Sequence, residues 1–176
     1  MRLFIAAELP ENMTEALAET QAALRDVVRG RYVGPDSFHV TLAFLGEVEG
    51  SREPLVERAL DEACTGFAAV EASLGELGFF GKACKATLWQ ALRDGGELAE
   101  LAGSVRRALA DAGFAFDAKA FLPHITLMRA ADLTAGELPM PGIAVGTIDA
   151  ITLFKSDLSG ARPAYAPLHT AYLPQP

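Results

Sequence analysis

The spacing of apolar and polar residues in the first third of the chain predicts alternating strands and a helix. Residues 3–7 form an apolar run of strand length. Residues 10–30 begin with a proline, carry apolar residues at helical spacing and end at a glycine, which predicts a helix. A Gly-Pro-Asp turn at residues 34–36 leads into a second strand at 38–45, which has strong β formers and is closed by Gly46.

The middle of the chain continues this alternation. A second helix is predicted over residues 52–64, and a strand over 67–77. Glycines 78 and 81 then predict a turn. The residues expected on the inward face of the second helix are Leu55, Val56, Ala59, Leu60 and Ala63.

The second half repeats the order of elements found in the first. A strand at residues 86–92, a helix at 97–112 and a strand at 121–128 are followed by a Pro- and Gly-containing loop at 130–142. Two closing strands are predicted at the ranges 143–154 and 164–173.

A short motif repeats with the elements. Leu3 lies 36 residues before His39, and Leu88 lies 36 residues before His124. The strand–helix–strand pattern of residues 2–46 therefore recurs at 86–129. This repeat predicts an α+β fold: a single domain over residues 1–176, built of two pseudo-symmetric lobes with largely antiparallel sheets and outer helices.

Composition narrows the functional classes. Of the 176 residues, 51% are apolar, which is enough for a sizeable core, and the net charge of -8 disfavours a protein that follows a long nucleic-acid backbone. Contact with an RNA end or a short oligonucleotide remains compatible with this charge.

The two cysteines, 64 and 84, are expected to be buried thiols. The chain lacks an apolar run long enough to span a membrane or to act as a signal peptide, so a cytoplasmic protein without membrane partners, acting as a monomer, is expected.

The repeated motif is His39-Val40-Thr41-Leu42 and His124-Ile125-Thr126-Leu127. One such tetrapeptide would be weak evidence, but a chance repeat has a likelihood of roughly one in 10^5, which argues against background. On a strand, the histidine and the threonine share one face while the two apolar residues share the other. Two related lobes would bring the polar faces together across one cleft, with two imidazoles flanking one bound group.

Two imidazoles on opposite sides of phosphorus suit the opening of a cyclic phosphodiester. One can take a proton from the attacking water, and the other can give a proton to the leaving ribose oxygen. The threonine hydroxyls can hold the non-bridging oxygens. Neither motif has a carboxylate at ligand spacing, so no metal or other cofactor is expected. A histidine on a strand more often has a structural role than a catalytic one. The repeat of the motif favours a catalytic role for His39 and His124. His169 lies outside such a motif and is expected to be an ordinary, partly exposed residue.

Other residues are expected to support this cleft. Arg129 and Lys119 each lie five residues from His124 and could supply positive charge, as could Lys155 and Arg162 around a late turn. Phe38 could stack on a nucleobase. Phe121 and Trp89 are expected in the core.

At these residues the chain resembles the 2H phosphoesterase superfamily, and within it the RNA 2′,3′-cyclic phosphodiesterases once described as 2′-5′ RNA ligases. The resemblance extends over nearly the whole chain. It rests on the opening Arg2-Leu3-Phe4-Ile5-Ala6 with Leu9-Pro10, on Phe38–Leu42 with Phe44-Leu45-Gly46-Glu47-Val48, on Phe121–Leu127 with Arg129, and on Ser156, Tyr165 and Leu168.

The resemblance implies a bilobal α+β fold with a central cleft and hydrolysis of a terminal 2′,3′-cyclic phosphate to a 2′-phosphomonoester. It implies that His39 donates the proton and His124 accepts it, although the symmetric motifs alone leave the direction open. It also implies that Thr41, Thr126 and Arg129 contact the phosphate.

The chain departs from the family in carrying Ala43 and Lys119 where relatives often have a basic residue and an arginine. Other readings therefore stay open. They are a phosphodiesterase for small cyclic nucleotides or 2′-5′ oligoadenylates, 2′-5′ RNA ligation as a reverse activity, and a non-catalytic module that binds RNA ends or nucleotides.

Overall fold

The computed structural model describes residues 1–160 and 162–176, which form nine strands and three α-helices. The helices are α1 (Glu11–Leu24), α2 (Glu53–Cys64) and α3 (Glu97–Asp111). The strands, in chain order, are β1 (Arg2–Glu8), β2 (Arg29–Tyr32), β3 (His39–Glu47), β4 (Val70–Phe80), β5 (Ala86–Arg93), β6 (His124–Asp132), β7 (Val145–Ile148), β8 (Ala150–Asp157) and β9 (Ala164–Tyr172).

The strands form two antiparallel sheets. The first, sheet A, has the strand order β3-β1-β8-β9, and the second, sheet B, has the order β2-β6-β5-β4-β7. Helices α2 and α3 pack together and lie on sheet A, while α1 lies on sheet B. The α+β class and the largely antiparallel sheets expected from the sequence are confirmed.

The two repeats exchange their helices between the sheets. The first repeat places β1 and β3 in sheet A, but its helix α1 packs on sheet B. The second repeat places β5 and β6 in sheet B, but its helix α3 packs against β3 of sheet A. The helix of each repeat therefore covers the sheet of the other, and α2, which lies between the repeats in sequence, also covers sheet A.

A buried glutamine ties α1 to sheet B. Gln90 of β5 is fully buried, and its amide nitrogen donates to the backbone carbonyls of Gly75, at 3.0 Å, and Gly142, at 2.8 Å. Its amide oxygen accepts from the Thr20 hydroxyl of α1 at 3.1 Å. The Gly75 carbonyl needs this donor because the β4–β5 pairing is interrupted between Leu74 and Leu77.

Two predictions for the first half of the chain were wrong in detail: the end of the first helix and the orientation of Leu55. The predicted helix over 10–30 ends at Leu24, and Arg29–Tyr32 form β2, which pairs with β6 more than ninety residues later. Local periodicity cannot reveal a strand whose partner is so distant in sequence. Leu55, expected to face inward on α2, is 42% exposed. It lies in the first turn of that helix.

Three predictions for the later segments were also wrong. Gly78 lies within β4 rather than in a turn, because a Cβ atom there would overlap the ring of Trp89. The single strand predicted over 143–154 is two strands in different sheets, β7 and β8, separated by Asp149. Cys64 is buried as expected, but Cys84 is exposed. No helix in the described part of the chain is both long enough and apolar enough to cross a membrane.

Candidate active site

A β-bulge shapes the first His-x-Thr motif. In the pairing of β1 with β3, Ala6 lies opposite Thr41 and Ile5 lies opposite Ala43, so Leu42 is an extra residue on β3. His39 and Thr41 are partly buried, whereas Leu42 and the residue after it are both buried. The side chains of His39 and Thr41 therefore face away from the helices, on the surface that we term the cleft face.

The second motif contains a bulge at the equivalent position. Trp89 lies opposite Thr126 and Leu88 lies opposite Met128, so Leu127 is the extra residue on β6. Leu127 and Met128 are both buried, and the shift in phase turns Arg129 outward, to the side of Thr126. The strict alternation of a regular strand would have placed Arg129 on the helix-covered face.

His39 is enclosed by aromatic rings. Its Nδ1 lies 2.7 Å from the backbone carbonyl of Ser37, and its Nε2 lies 3.1 Å from the Thr41 hydroxyl. The ring centroids of Phe4 and Tyr165 lie 5.0 and 5.5 Å from that of the imidazole. The carbonyl of Ser37 can only accept, so it fixes the proton on Nδ1 and leaves Nε2 towards the cleft.

His124 is held in the same way. Its Nδ1 lies 2.6 Å from the backbone carbonyl of Leu122, two residues before it, as Ser37 is before His39. The rings of Phe80 and Trp89 lie 5.1 and 5.8 Å from the imidazole. Both histidines thus have Nδ1 fixed by the carbonyl of residue i−2, with Nε2 left for a ligand.

The surroundings of His39 disfavour its protonated form. Burial lowers the pKa of His39 from 6.5 to about 4, although the hydrogen bond to the Ser37 carbonyl raises it. The charge of Arg129 and, when its imidazole is protonated, that of His124 also contribute to this low pKa. Strand β3, which begins at His39, contacts strand β6, which carries both His124 and Arg129. At neutral pH and without a ligand, the imidazole of His39 is uncharged.

Two residues expected in the cleft have other surroundings. Phe38 is only 7% exposed and lies in the hydrophobic core, so its ring is not available to stack on a base. The Lys119 ammonium is paired with Asp117 at 3.0 Å, and the Lys119 side chain is 85% exposed. Lys119 and Asp117 lie beside the open edge of sheet A, where the backbone N–H of Asp117 donates to the carbonyl of Phe44. The stacking role expected of Phe38 is therefore wrong, whereas a contact of Lys119 with the substrate stays a prediction.

The sequence did not predict that four aromatic residues lie beside the histidines: Phe4, Phe80, Trp89 and Tyr165. Trp89 was expected in the core, but it is partly buried and contacts His124, with an indole N–H that has no partner in the described residues. Phe4 could have been found from the period of β1. It lies two residues before Ala6, which pairs with Thr41 on the cleft face.

The remaining histidine lies elsewhere. His169 Nε2 is 2.7 Å from Oδ1 of Asp61 on α2, on the helix-covered side of sheet A. In residues 1–160 and 162–176, no three His, Cys, Asp or Glu side chains cluster closely enough to hold a metal ion.

Comparisons with known proteins point to one family. The family model described as the 2′-5′ RNA ligase superfamily matches residues 13–158. An RNA 2′,3′-cyclic phosphodiesterase of Escherichia coli is 31% identical over 170 residues, covering 95% of this chain and 93% of that protein. Another of the same name, from Archaeoglobus fulgidus, is 32% identical over 130 residues, covering 73% and 72% of the two chains.

The crystal structure of Escherichia coli LigT complexed with 3′-AMP has the same fold. It superposes with a TM-score of 0.82 at 30% sequence identity, covering 99% of this chain and 98% of that one. Both His-x-Thr motifs, all of sheet B, and strands β3 and β8 of sheet A lie within the residues that the family model matches. On this match and these identities, the chain belongs to the 2′-5′ RNA ligase superfamily.

Proposed function

We propose that the protein is an RNA 2′,3′-cyclic phosphodiesterase that hydrolyses the terminal cyclic phosphate to a 2′-phosphomonoester without a metal ion. The activity is that of the relatives named RNA 2′,3′-cyclic phosphodiesterase, which match this chain over most of its length. The observation that carries the mechanism is the matched orientation of the two imidazoles. Each has its Nδ1 fixed by a backbone carbonyl and its Nε2 towards the cleft.

In this mechanism the cyclic phosphate lies between the two Nε2 atoms. A water oxygen forms a bond to phosphorus while its proton passes to Nε2 of His124. The bond from phosphorus to the ribose 3′ oxygen breaks, and that oxygen takes the proton from Nε2 of His39. The products are a 2′-phosphomonoester and a free 3′ hydroxyl, and the two histidines exchange protonation states with solvent before the next turnover.

The threonines and Arg129 are assigned to the phosphate. Thr41 Oγ1 already lies 3.1 Å from Nε2 of His39, so a phosphate oxygen that approaches this nitrogen also comes within reach of the hydroxyl. Thr126 has the equivalent place on β6, and the bulge after it brings the Arg129 guanidinium to the same side. The first motif has no such cation, because its corresponding residue is Phe44. Negative charge on the phosphate is therefore stabilised mainly from the side of sheet B.

The acid role of His39 depends on the substrate. With a pKa of about 4, His39 is not protonated in the empty cleft at neutral pH. A phosphate anion about 4 Å away would favour the imidazolium by about 4 kcal/mol at an effective dielectric constant of about 20. That energy corresponds to a pKa increase of about 3, enough to protonate His39 near pH 7. Binding of the substrate thus protonates His39, which then acts as the general acid.

This dependence predicts a pKa change that NMR can follow. In the free protein, titration of the His39 imidazole is expected to give a pKa of about 4. Saturation with a nucleoside 2′-phosphate is expected to raise that pKa to about 7. A pKa that stays near 4 in the complex would contradict the donor role and reverse the two assignments. His169, whose Nε2 contacts Asp61 rather than the cleft, provides the reference signal.

A substrate panel tests the proposed activity against its rivals. The panel contains one RNA oligonucleotide with a 2′,3′-cyclic phosphate end, adenosine 3′,5′-cyclic phosphate, and a 2′-5′ oligoadenylate, each assayed for kcat/KM. The proposal predicts that the 2′,3′-cyclic end is preferred by at least about tenfold over both others. Preference for either of the other two would assign the same histidines to a different substrate. Binding of the RNA end without turnover would support a binding module instead.

A further inference from the structure

A cavity with four arginines opens beside His39. It has a volume of about 630 Å³, and its wall includes Ser37, whose carbonyl holds the His39 imidazole, and Tyr165, whose ring contacts that imidazole. We term it the arginine pocket, after the four residues Arg25, Arg31, Arg129 and Arg162. Among its lining residues the single carboxylate is Asp36. The pocket is therefore positive in a chain whose net charge is -8.

The local backbone brings two of these arginines together. Arg31 of β2 lies directly opposite Arg129 of β6, an arrangement in which like charges destabilise a strand pair. The register that creates it depends on an irregularity at Gly30, where φ is +152° and a Cβ atom would lie 2.9 Å from the carbonyl oxygen of Ala130. Ala130 itself has a φ of +51°. Unfavourable backbone and charge at one place point to a functional site.

The four guanidinium groups are also uncompensated. None of them forms a salt bridge with a described residue, and all four arginines are exposed. The ring of Tyr32 lies 4.4 Å from the Arg25 guanidinium carbon, which fixes that group against an aromatic face. Guanidinium groups in fixed positions bind phosphate oxygens through paired hydrogen bonds. The composition of this pocket therefore suits an anion.

We propose that the arginine pocket binds the phosphodiester that precedes the terminal nucleotide of the RNA, so that the enzyme selects oligonucleotide ends over mononucleotide cyclic phosphates. This inference rests on the proposed function, because it needs the cyclic phosphate to lie between His39 and His124. The pocket then takes the next group along the chain, on the Ser37 and Tyr165 side of the cleft. Arg129 lies at the junction and faces both phosphates, while Arg25, Arg31 and Arg162 serve only the second.

The test compares kcat/KM for adenosine 2′,3′-cyclic phosphate with kcat/KM for a trinucleotide that has the same cyclic end. Hydrogen bonds from charged groups to the second phosphate are expected to favour the trinucleotide by about tenfold to a hundredfold at low salt. This preference is expected to weaken as salt concentration rises. In Arg31→Gln and in the double variant Arg25→Gln/Arg162→Gln, the preference is expected to fall by about tenfold.

Arg107→Gln is the matched control, since it removes one positive charge from an exposed position on α3, outside the pocket. Its preference for the trinucleotide is expected to equal that of the wild type. Equal kcat/KM values for both substrates in the wild type, or an unchanged preference in both pocket variants, would overturn the inference while leaving the proposed function intact. Failure to hydrolyse either substrate would instead contradict the proposed function, and with it the inference.

Discussion

Replacing either cleft histidine with alanine is expected to reduce kcat on a 2′,3′-cyclic phosphate by about 10^2- to 10^4-fold. His39→Ala removes the proton that the leaving 3′ oxygen needs, and His124→Ala removes the acceptor for the proton of water. The two losses are expected to be far from additive, because either variant already prevents the concerted step. Steady-state hydrolysis of an RNA oligonucleotide with a cyclic end measures both effects.

His169→Ala is the matched control for these variants. It also deletes an imidazole, but from the side of sheet A where the ring contacts Asp61 of α2. Its kcat is expected to equal that of the wild type. A loss in His169→Ala as large as that in His124→Ala would show that the assay reports damage to the fold and not loss of an acid or a base.

The second large effect concerns stability. Gln90→Met keeps the approximate size of the side chain but removes the amide that donates to the carbonyls of Gly75 and Gly142. Both carbonyls then lose a partner in a region from which water is largely excluded, and the free energy of unfolding is expected to fall by about 2 to 4 kcal/mol. Thermal unfolding is expected to shift down by about 5 to 15 °C.

Glu76→Gln provides the comparison for Gln90→Met. Glu76 lies next to Gly75, but its carboxylate is paired with Arg93, at 2.5 Å, on an exposed surface. An exposed pair of this kind contributes about 0 to 1 kcal/mol, so the variant is expected to unfold close to the wild-type temperature. If both variants lost the same stability, the loss would reflect a general sensitivity of this bulge and not the buried amide.

The sequence predicted the elements whose pattern is local. The apolar run that became β1, the helical stripes of α2 and α3, and the polar alternation of the two motifs each reflect neighbours within a few residues. The repeat at 2–46 and 86–129 indicated two related units. Because each sheet is covered by the helix of the other repeat, we propose that the chain folds as a single domain and that neither repeat is stable alone.

The features that the sequence did not predict depend on distant partners. Strand β2 exists because β6 pairs with it, and Gly78 is required by a ring on the neighbouring strand. The bulge at Leu127 determines which face of β6 carries Arg129, and the tetrapeptide His-Ile-Thr-Leu does not predict a bulge there. For the same reason Trp89, which contacts His124, could not be distinguished from a core residue in the sequence alone.

The most direct test of the account is to follow the terminal phosphate of an RNA oligonucleotide by ³¹P NMR, in excess EDTA, with wild-type protein and with the double variant His39→Ala/His124→Ala. We expect that the cyclic phosphate signal is replaced by that of a 2′-phosphomonoester with the wild type and persists with the double variant. A signal that persists with the wild type, a 3′-phosphate product, or equal conversion by both proteins would contradict it.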